Sequence, residues 1–133
     1  MSFVHGKDTF VSLNGSDLSP FTDTSEFGRT SDKHDVTTYG KSSHVYNGGL
    51  LDGTFTMGGT YDNTASGPRD IIEPLLGTVV TLIRRVEGTG SGRPQDSVSV
   101  LVEEYVESSP VADMVKWTCK TQCSDEITST NQA

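Results

Sequence analysis

The sequence has few basic residues, only two cysteines and no long apolar run. Lysine and arginine number 10 against 18 aspartates and glutamates, so the formal net charge is −8. A protein that binds nucleic acid tightly needs clustered lysine and arginine side chains to neutralise the phosphates. This charge balance therefore argues against nucleic-acid binding, whereas an acidic surface suits a passage along which phosphates are repelled.

The short apolar runs exclude two further classes of protein. Residues 100–102 form one of the longest such runs, whereas a membrane-spanning helix needs about 20 apolar residues and a signal peptide about 7–15. We therefore expect no membrane insertion and a chain made in the cytoplasm. Cys119 and Cys123 would lie about 13 Å apart on one strand, too far to form a disulfide bond with each other, and free thiols are expected.

Length and composition predict one domain with a small core. The chain has 133 residues, of which valine, isoleucine, leucine and phenylalanine make up only 30. Serine and threonine number 33, and valine outnumbers leucine, which favours strands over helices. We predict a mainly β, antiparallel domain over residues 1–124 that includes an N-terminal arm, followed by a polar tail over residues 125–133.

Alternation of apolar and polar residues marks the strands. The predicted strands cover residues 9–13, 34–39, 50–61, 78–86, 97–107 and 113–121. In the strand at 97–107 the alternation places Val102 and Val106 on one face and Glu103 and Tyr105 on the other. Consecutive acids at 103 and 104 therefore point to opposite faces and do not make a catalytic pair by themselves.

Glycine and proline predict the turns and one helix. Asn14-Gly15 and Asn47-Gly48 suit tight hairpin turns, and Asp52-Gly53 is compatible with either a bulge or a late strand start. Gly58-Gly59 indicates that something packs closely on the backbone of its strand. Residues 66–77 predict a short or kinked helix, since Pro68 suits a first turn and Pro74 removes an internal hydrogen bond.

No catalytic or cofactor-binding motif stands out. The glycine-rich residues 88–92 lack the lysine and the following helix of a phosphate-binding loop. His5, His34 and His44 have no metal-ligand spacing. The sequence therefore predicts neither an enzyme, nor a metal site, nor a cofactor.

Taken in order, several segments resemble the major tail tube proteins of long-tailed bacteriophages. The segments are SLNGSDLSPF at 12–21, DVTTYG at 35–40, GGLLDGTFTMGGTYD at 48–62, LLG at 75–77 and EEYVESSPVADMVKWTCK at 103–120. The resemblance covers most of residues 8–120. It implies a β-sandwich or barrel-like subunit with one flanking helix, assembled into six-membered rings that stack into a tube.

The resemblance also implies a function and partners. The tube would be the conduit for DNA delivery, and DNA would pass through without specific binding. The chain would belong to the virion tail, assemble in the host cytoplasm, and meet the tape measure protein and the tail-end proteins. Because long strands can pair between copies, the thin core would be supplemented by interface burial.

Within that picture, particular residues are expected to serve assembly. The acids expected to line the bore are Asp52, Glu103 and Glu107. The loop at 35–48 is expected to contact the adjacent ring through Thr38, Tyr39 and Tyr46. Phe3, Val4 and Phe10 are expected to dock on a neighbouring subunit.

Two other interpretations remain open at the level of sequence. One is a monomeric or trimeric β-sandwich module that decorates a virion or binds a receptor. The other is the inner tube of a contractile injection system, which the resemblance does not separate from a phage tail tube.

Overall fold

A computed structural model describes residues 3–133, which form an eight-stranded antiparallel β-sheet with one short α-helix. The strands are β1 Phe10–Leu13, β2 Ser16–Asp17, β3 Thr24–Asp35, β4 Tyr46–Thr60, β5 Val79–Arg85, β6 Pro94–Ser108, β7 Lys116–Cys123 and β8 Thr128–Asn131. Helix α1 spans Pro68–Ile72, and single 3-10 turns lie at Gly6–Asp8, Ser19–Phe21 and Glu73–Leu75. The predicted mainly β fold with one short helix is thus confirmed.

The sheet is rolled around its core. Its strand order is β2-β1-β5-β6-β7-β4-β3, and β8 pairs with the start of β6. Two strands separate β3 from β6 in this order, yet Arg29 of β3 forms a 2.6 Å ion pair with Asp96 of β6. The Nε–H of Arg84 in β5 likewise donates a 3.4 Å hydrogen bond to the hydroxyl oxygen of Ser25 in β3. The β3 end of the sheet therefore curls back over β5 and the start of β6, which lie in the middle of the strand order.

The core draws on both halves of the rolled sheet. Its buried apolar members are Val11, Leu13, Leu18, Phe55, Met57, Ile72, Leu82, Val98, Val100, Val102, Trp117 and Cys119. Thr121 is also fully buried, and its hydroxyl donates a 3.0 Å hydrogen bond to the backbone carbonyl of Phe55. A buried hydroxyl with such a partner avoids the cost of an unsatisfied polar group.

Most predicted strands are confirmed, but the strand at 34–39 is wrong. Only His34 and Asp35 of that segment lie in β3, and residues 36–45 form the loop between β3 and β4. The prediction also missed most of β3, whose residues are almost all exposed and largely polar. Without buried residues in alternation, this strand has no periodic signal, and its pairing with β4 is what holds it in place.

The two asparagine-glycine pairs behave differently. Asn14 and Gly15 form the predicted tight turn between β1 and β2, with φ angles of 51° and 81°. Asn47-Gly48 lies inside β4 instead, where Asn47 pairs with His34 and Gly48 with Lys33. The same hairpin carries its irregularity between Ser31 and Lys33, so the bulge considered at 52–53 lies elsewhere.

The glycine pair in β4 is packed as predicted. A Cβ atom on Gly59 would collide with the backbone carbonyl of Phe21, and one on Gly58 would lie 2.8 Å from the carbonyl oxygen of Trp117. The 3-10 turn Ser19–Phe21 therefore rests directly on the backbone of β4. This contact explains why the strand has no side chains there.

Helix α1 is short, as predicted. Pro68 begins it, and the chain tightens into the 3-10 turn Glu73–Leu75 that contains Pro74. A continuous α-helix is interrupted because proline has no amide hydrogen to donate. Ile72 is buried in the core, so the segment covers one open side of the rolled sheet.

The segment predicted to be a polar tail contains a strand. Residues Thr128–Asn131 pair with β6 through β8, although all four are exposed. The side chain of Gln132 adds hydrogen bonds to the loop between β5 and β6, at Gly88 and Gly90. Backbone pairing rather than burial thus holds this segment, and pairing of that kind leaves no apolar periodicity in a sequence.

Candidate assembly surfaces

One face of the sheet is polar and rich in threonine. It is the outer face of β3, β4, β7 and the second half of β6, and we call it the threonine face. Its side chains belong to Thr24, Glu26, Thr30, Asp52, Thr54, Thr56, Thr60, Glu104, Val106, Ser108, Lys116, Thr118, Lys120 and Gln122. Its three carboxylates outnumber its two lysines, so the net charge of the threonine face is slightly negative. Among the side chains of this face, no positive patch dominates that would hold phosphates.

A bulge decides which acids of β6 reach the threonine face. The register of β6 against β7 shifts between Val102 and Glu104, so Glu103 has no direct partner. Beyond the bulge, Tyr105 pairs with Cys119 on the core side and Val106 pairs with Thr118 on the outer side. The predicted alternation of Tyr105 and Val106 is therefore wrong, because one extra residue exchanges the two faces.

The three acids expected to line the bore do not share a face. Asp52 lies on the threonine face, where it accepts a 2.6 Å hydrogen bond from Gln122. Glu103 is exposed at the bulge. Glu107 pairs with Trp117 on the core side of the sheet, opposite to the side of Asp52. Glu104 is the β6 acid that stands with Asp52, directly across from Lys120.

Glu107 belongs to a polar cluster beside α1. It accepts a 3.2 Å hydrogen bond from the hydroxyl of Tyr105 and lies 4.0 Å from Arg69, which also bonds Glu73 at 2.9 Å. Burial is the main cause of the raised pKa of Tyr105, and the negative charge of Glu107 adds to it. The bond to Glu73 is the main cause of the raised pKa of Arg69. The cluster fastens the helix to the end of β6.

The sheet has two long free edges. No described strand pairs with the outer edge of β3 or with residues 103–108 of β6 on the side away from β7. Between these edges the order is β6, β7, β4 and β3, four strands that alternate in direction. Exposed edges of this length invite pairing with another chain.

The hairpin of β3 and β4 projects beyond the core. We call residues 33–48 the arm, since they lie beyond the bulge and are exposed throughout. The arm exposes several apolar or aromatic side chains: Val36, Tyr39, Val45 and Tyr46. Thr38, Tyr39 and Tyr46 are accordingly accessible, with Tyr46 stacked on His44 at 5.9 Å between ring centroids. Their predicted role in contact with an adjacent ring stays a prediction.

Hydrogen bonds to Asp35 order the tip of the arm. Its carboxylate accepts bonds from the hydroxyl and the amide of Thr37, at 2.6 and 2.9 Å. The Thr37 hydroxyl in turn accepts from the amide of Val45 at 2.8 Å, which joins the two sides of the loop. These bonds from Thr37 lower the pKa of Asp35 below its ordinary 3.8, and His44 lies 3.3 Å away.

The ordered tip is expected to loosen in acid. Because the pKa of Asp35 is lower in the folded arm, the stabilisation is complete above 3.8 and is lost as the pH falls through the folded-state value. Amide resonances of Thr37 and Val45 should therefore titrate together with a midpoint below 3.8. The Asp35→Asn variant should lack this titration. A midpoint at or above 3.8 would contradict the arrangement.

The N-terminal residues expected to dock on a neighbour fall into two groups. Phe3 and Val4 are exposed, 93% and 56% respectively, and are free to make such a contact. Phe10 starts β1 instead and lies half-buried beneath the guanidinium of Arg85, 4.7 Å from its ring centroid. A docking role for Phe10 therefore competes with this contact within the subunit.

A groove opens between β3, β4 and the loop before β8. It has a volume of about 840 Å³, and Leu51 and Ile127 provide its apolar surface beside Arg29, Asp125 and Glu126. Within residues 3–133 no three histidine, cysteine or acidic side chains converge as metal ligands. No helix of the described chain has the length and hydropathy to cross a membrane.

Comparison with known proteins gives the fold. No protein-family model and no curated protein matches the sequence. The SPP1 tail tube matches in structure with a TM-score of 0.78 and 13% identity, over 98% of this chain and 80% of that one. A chain from the tail of an empty gene transfer agent particle with C6 symmetry matches with a TM-score of 0.74 and 12% identity, over 96% and 99%.

A third similar structure comes from another kind of particle. It is the sheath/tube terminator of an extracellular contractile injection system, with a TM-score of 0.75 and 11% identity over 98% of each chain. At these low identities the likeness concerns the path of the backbone. The chain therefore has the fold found in phage tail tubes and in components of contractile injection systems.

Proposed function

We propose that this protein is the major subunit of a phage tail tube, which polymerises as stacked hexameric rings and carries DNA to the host. The observation that carries the proposal is the pair of free edges on one sheet. Rotation about the ring axis leaves the direction of each strand unchanged from one copy to the next. Two strands, β7 and β4, lie between β6 and β3, so the two edge strands of one copy run in opposite directions. The β3 edge of one copy would therefore meet the β6 edge of the next in antiparallel orientation.

Ring closure removes the edges that an isolated subunit exposes. A sheet continued from copy to copy would leave no open strand, and its inner surface would be one repeated face. The threonine face fits this lining, because it spans the four strands concerned and carries Glu26, Asp52 and Glu104. The C6 symmetry of the similar gene transfer agent tail supports six as the number of copies.

The remaining partners and the location follow from this role. DNA would pass the threonine face without specific binding, and the tape measure protein and the tail-end proteins would be partners of the tube. The subunits would assemble in the host cytoplasm and reside in the virion tail. The role is structural and uses no cofactor.

A second candidate function is the inner tube of a contractile injection system. The match to the sheath/tube terminator favours it, since the TM-score is similar to those of the tail structures. Both functions use the same ring and the same threonine face. They differ in whether a sheath surrounds the tube.

Microscopy of the purified full-length chain tests the proposal. Negative staining combined with size-exclusion light scattering should show hexameric rings or tubes. A species that stays monomeric at high concentration would overturn the proposal and favour the virion decoration module. A stable trimer would do the same.

Charge on the threonine face should control how DNA interacts with assembled tubes. Reversal of Asp52 to lysine should leave assembly intact, because Asp52 lies on β4 and not on a free edge strand. The tubes should nevertheless retain labelled DNA at low salt, because lysines hold phosphates. The same reversal at exposed Asp8 is the matched control. Equal DNA retention by both variants would show that Asp52 does not face the bore.

A further inference from the structure

A second pocket opens between the 3-10 turn Gly6–Asp8, the start of β3 and the end of β5. It has a volume of about 650 Å³, which is in the usual range for sites that take small ligands. Three basic side chains line it, those of His5, Lys7 and Arg84, together with one acid, Asp23. Serine and threonine side chains make up most of the remaining wall. We call it the basic pocket.

Strand pairing turns Arg84 toward the interior of the rolled sheet. Arg84 lies directly opposite the buried Val11 of β1, so both side chains are on the core side. Arg85, the next residue, points to the other face, where its guanidinium lies over Phe10 and donates to Gln95 at 2.9 Å. The two consecutive arginines therefore have different surroundings, and it is Arg84 that lines the basic pocket.

The guanidinium of Arg84 is only partly used within the subunit. Its Nε–H donates to the hydroxyl of Ser25, but among residues 3–133 no group accepts a hydrogen bond from its two terminal nitrogens. Both nitrogens stay accessible to solvent. The nearby carboxylate of Asp96 is already paired with Arg29 at 2.6 Å. A half-buried cation without a charge partner of its own is stabilised when an anion binds beside it.

The mouth of the basic pocket adds positive charge and a further donor. The Nδ1 atom of His5 accepts a 3.2 Å hydrogen bond from the amide of Lys7, which leaves the ring proton on Nε2 as a donor. Asp23 forms no ion pair with the three basic side chains in the described part of the chain. Lys7 and Arg84 together outweigh Asp23, so the pocket is positive in a protein whose net charge is −8.

We propose that the basic pocket binds an oxyanion, a phosphate or carboxylate group, through the terminal nitrogens of Arg84, with Lys7 and His5 as further donors. A guanidinium presents two N–H groups in one plane, and this spacing matches two oxygens of such a group. Two sources supply this chemistry: free phosphate in solution, and an acidic side chain of a second copy. The pocket lies within one subunit, so the inference does not depend on the proposed tube.

Titration with inorganic phosphate tests the site on the full-length chain. Isothermal titration calorimetry at constant ionic strength should detect binding to the wild type, and Arg84→Gln should weaken it roughly tenfold or more, because the charged donors are lost. The matched control, Arg85→Gln, removes the same charge from the opposite face and should bind phosphate as the wild type does. Thermal unfolding in phosphate and in chloride gives a second readout, since a ligand of the folded state raises the Tm.

A second variant keeps the test valid if Arg84→Gln does not fold. Lys7 is exposed in its turn, so Lys7→Gln should leave the fold intact and weaken phosphate binding by a smaller factor, about threefold. Equal phosphate affinity in the wild type, Lys7→Gln and Arg84→Gln would show a general effect of anions and overturn the site. Absence of phosphate binding to the separated wild-type subunit would overturn it as well.

Assembly separates the two sources of the oxyanion. If assemblies exclude phosphate and Arg84→Gln weakens assembly, the ligand is a carboxylate of a second copy. If assemblies bind phosphate as the separated subunit does, or exclude it while Arg84→Gln assembles normally, the ligand is a free oxyanion. A wild-type chain that stays monomeric would disprove the tube, yet phosphate binding to that monomer would still support the basic pocket.

Discussion

Replacement of Trp117 by alanine should lower the free energy of unfolding by about 3–5 kcal/mol, the usual cost of removing a buried large aromatic side chain. Trp117 lies in β7 at the centre of the sheet, is 1% exposed, and packs against Tyr105 with 6.3 Å between ring centroids. Urea unfolding followed by circular dichroism measures the loss, since the chain has no other tryptophan to report by fluorescence.

Comparison with phenylalanine separates packing from hydrogen bonding at this position. The indole nitrogen of Trp117 is buried and has no hydrogen-bond partner among the described residues. Trp117→Phe should therefore cost only about 1–2 kcal/mol, because it removes a buried, unsatisfied donor as well as some packing. The exposed Val106→Ala variant on the opposite face is the control, with an effect within about 0.5 kcal/mol. Equal losses for alanine and phenylalanine would contradict this interpretation.

Removal of the Asp96 carboxylate should have the second largest effect on stability, about 2 kcal/mol for Asp96→Ala. Asp96 pairs with Arg29 at 2.6 Å and accepts a 2.6 Å hydrogen bond from Ser129, so it joins β3, β6 and β8. Burial lowers the pKa of neighbouring Arg84, and Asp96 opposes this effect while Arg29 adds to it. Without Asp96, two guanidinium groups would face each other with no balancing charge.

A double-mutant cycle measures that interaction directly. Arg29 is half exposed, so solvent screens its pair with Asp96 and limits the expected coupling energy to about 1 kcal/mol. Asp96→Ala, Arg29→Gln and the double variant are compared by urea unfolding, with exposed Asp8→Ala as the control. Additive losses would show that Asp96 does not hold the rolled sheet closed through Arg29.

The sequence predicted the parts of the fold that depend on local patterns. Alternation in β4 and β7, the asparagine-glycine turn at 14–15, and the interrupted helix near Pro68 and Pro74 all depend on residues close together in the chain. Their side chains or backbone angles impose a conformation wherever the segment is placed. For this reason the sequence predicts these elements without reference to their neighbours in the fold.

Long-range pairing decided the elements that the sequence missed. β3 and β8 have exposed, polar residues, and they are strands because β4 and β6 offer them hydrogen-bond partners. Simple alternation predicts a face for Glu103, but it fails where β6 shifts its register against β7. A bulge is a property of two strands together, so the alternation of one strand does not reveal it.

The candidate surfaces divide in the same way. The sequence by itself determined a small-cored, acidic, threonine-rich β domain, since these are properties of composition and local pattern. Only the tertiary structure decided that Asp52 and Glu104 share a face, that Glu107 lies across the sheet beside Arg69, and that Arg84 lines the basic pocket. These relations depend on strand order and register, which bring together residues far apart in the chain.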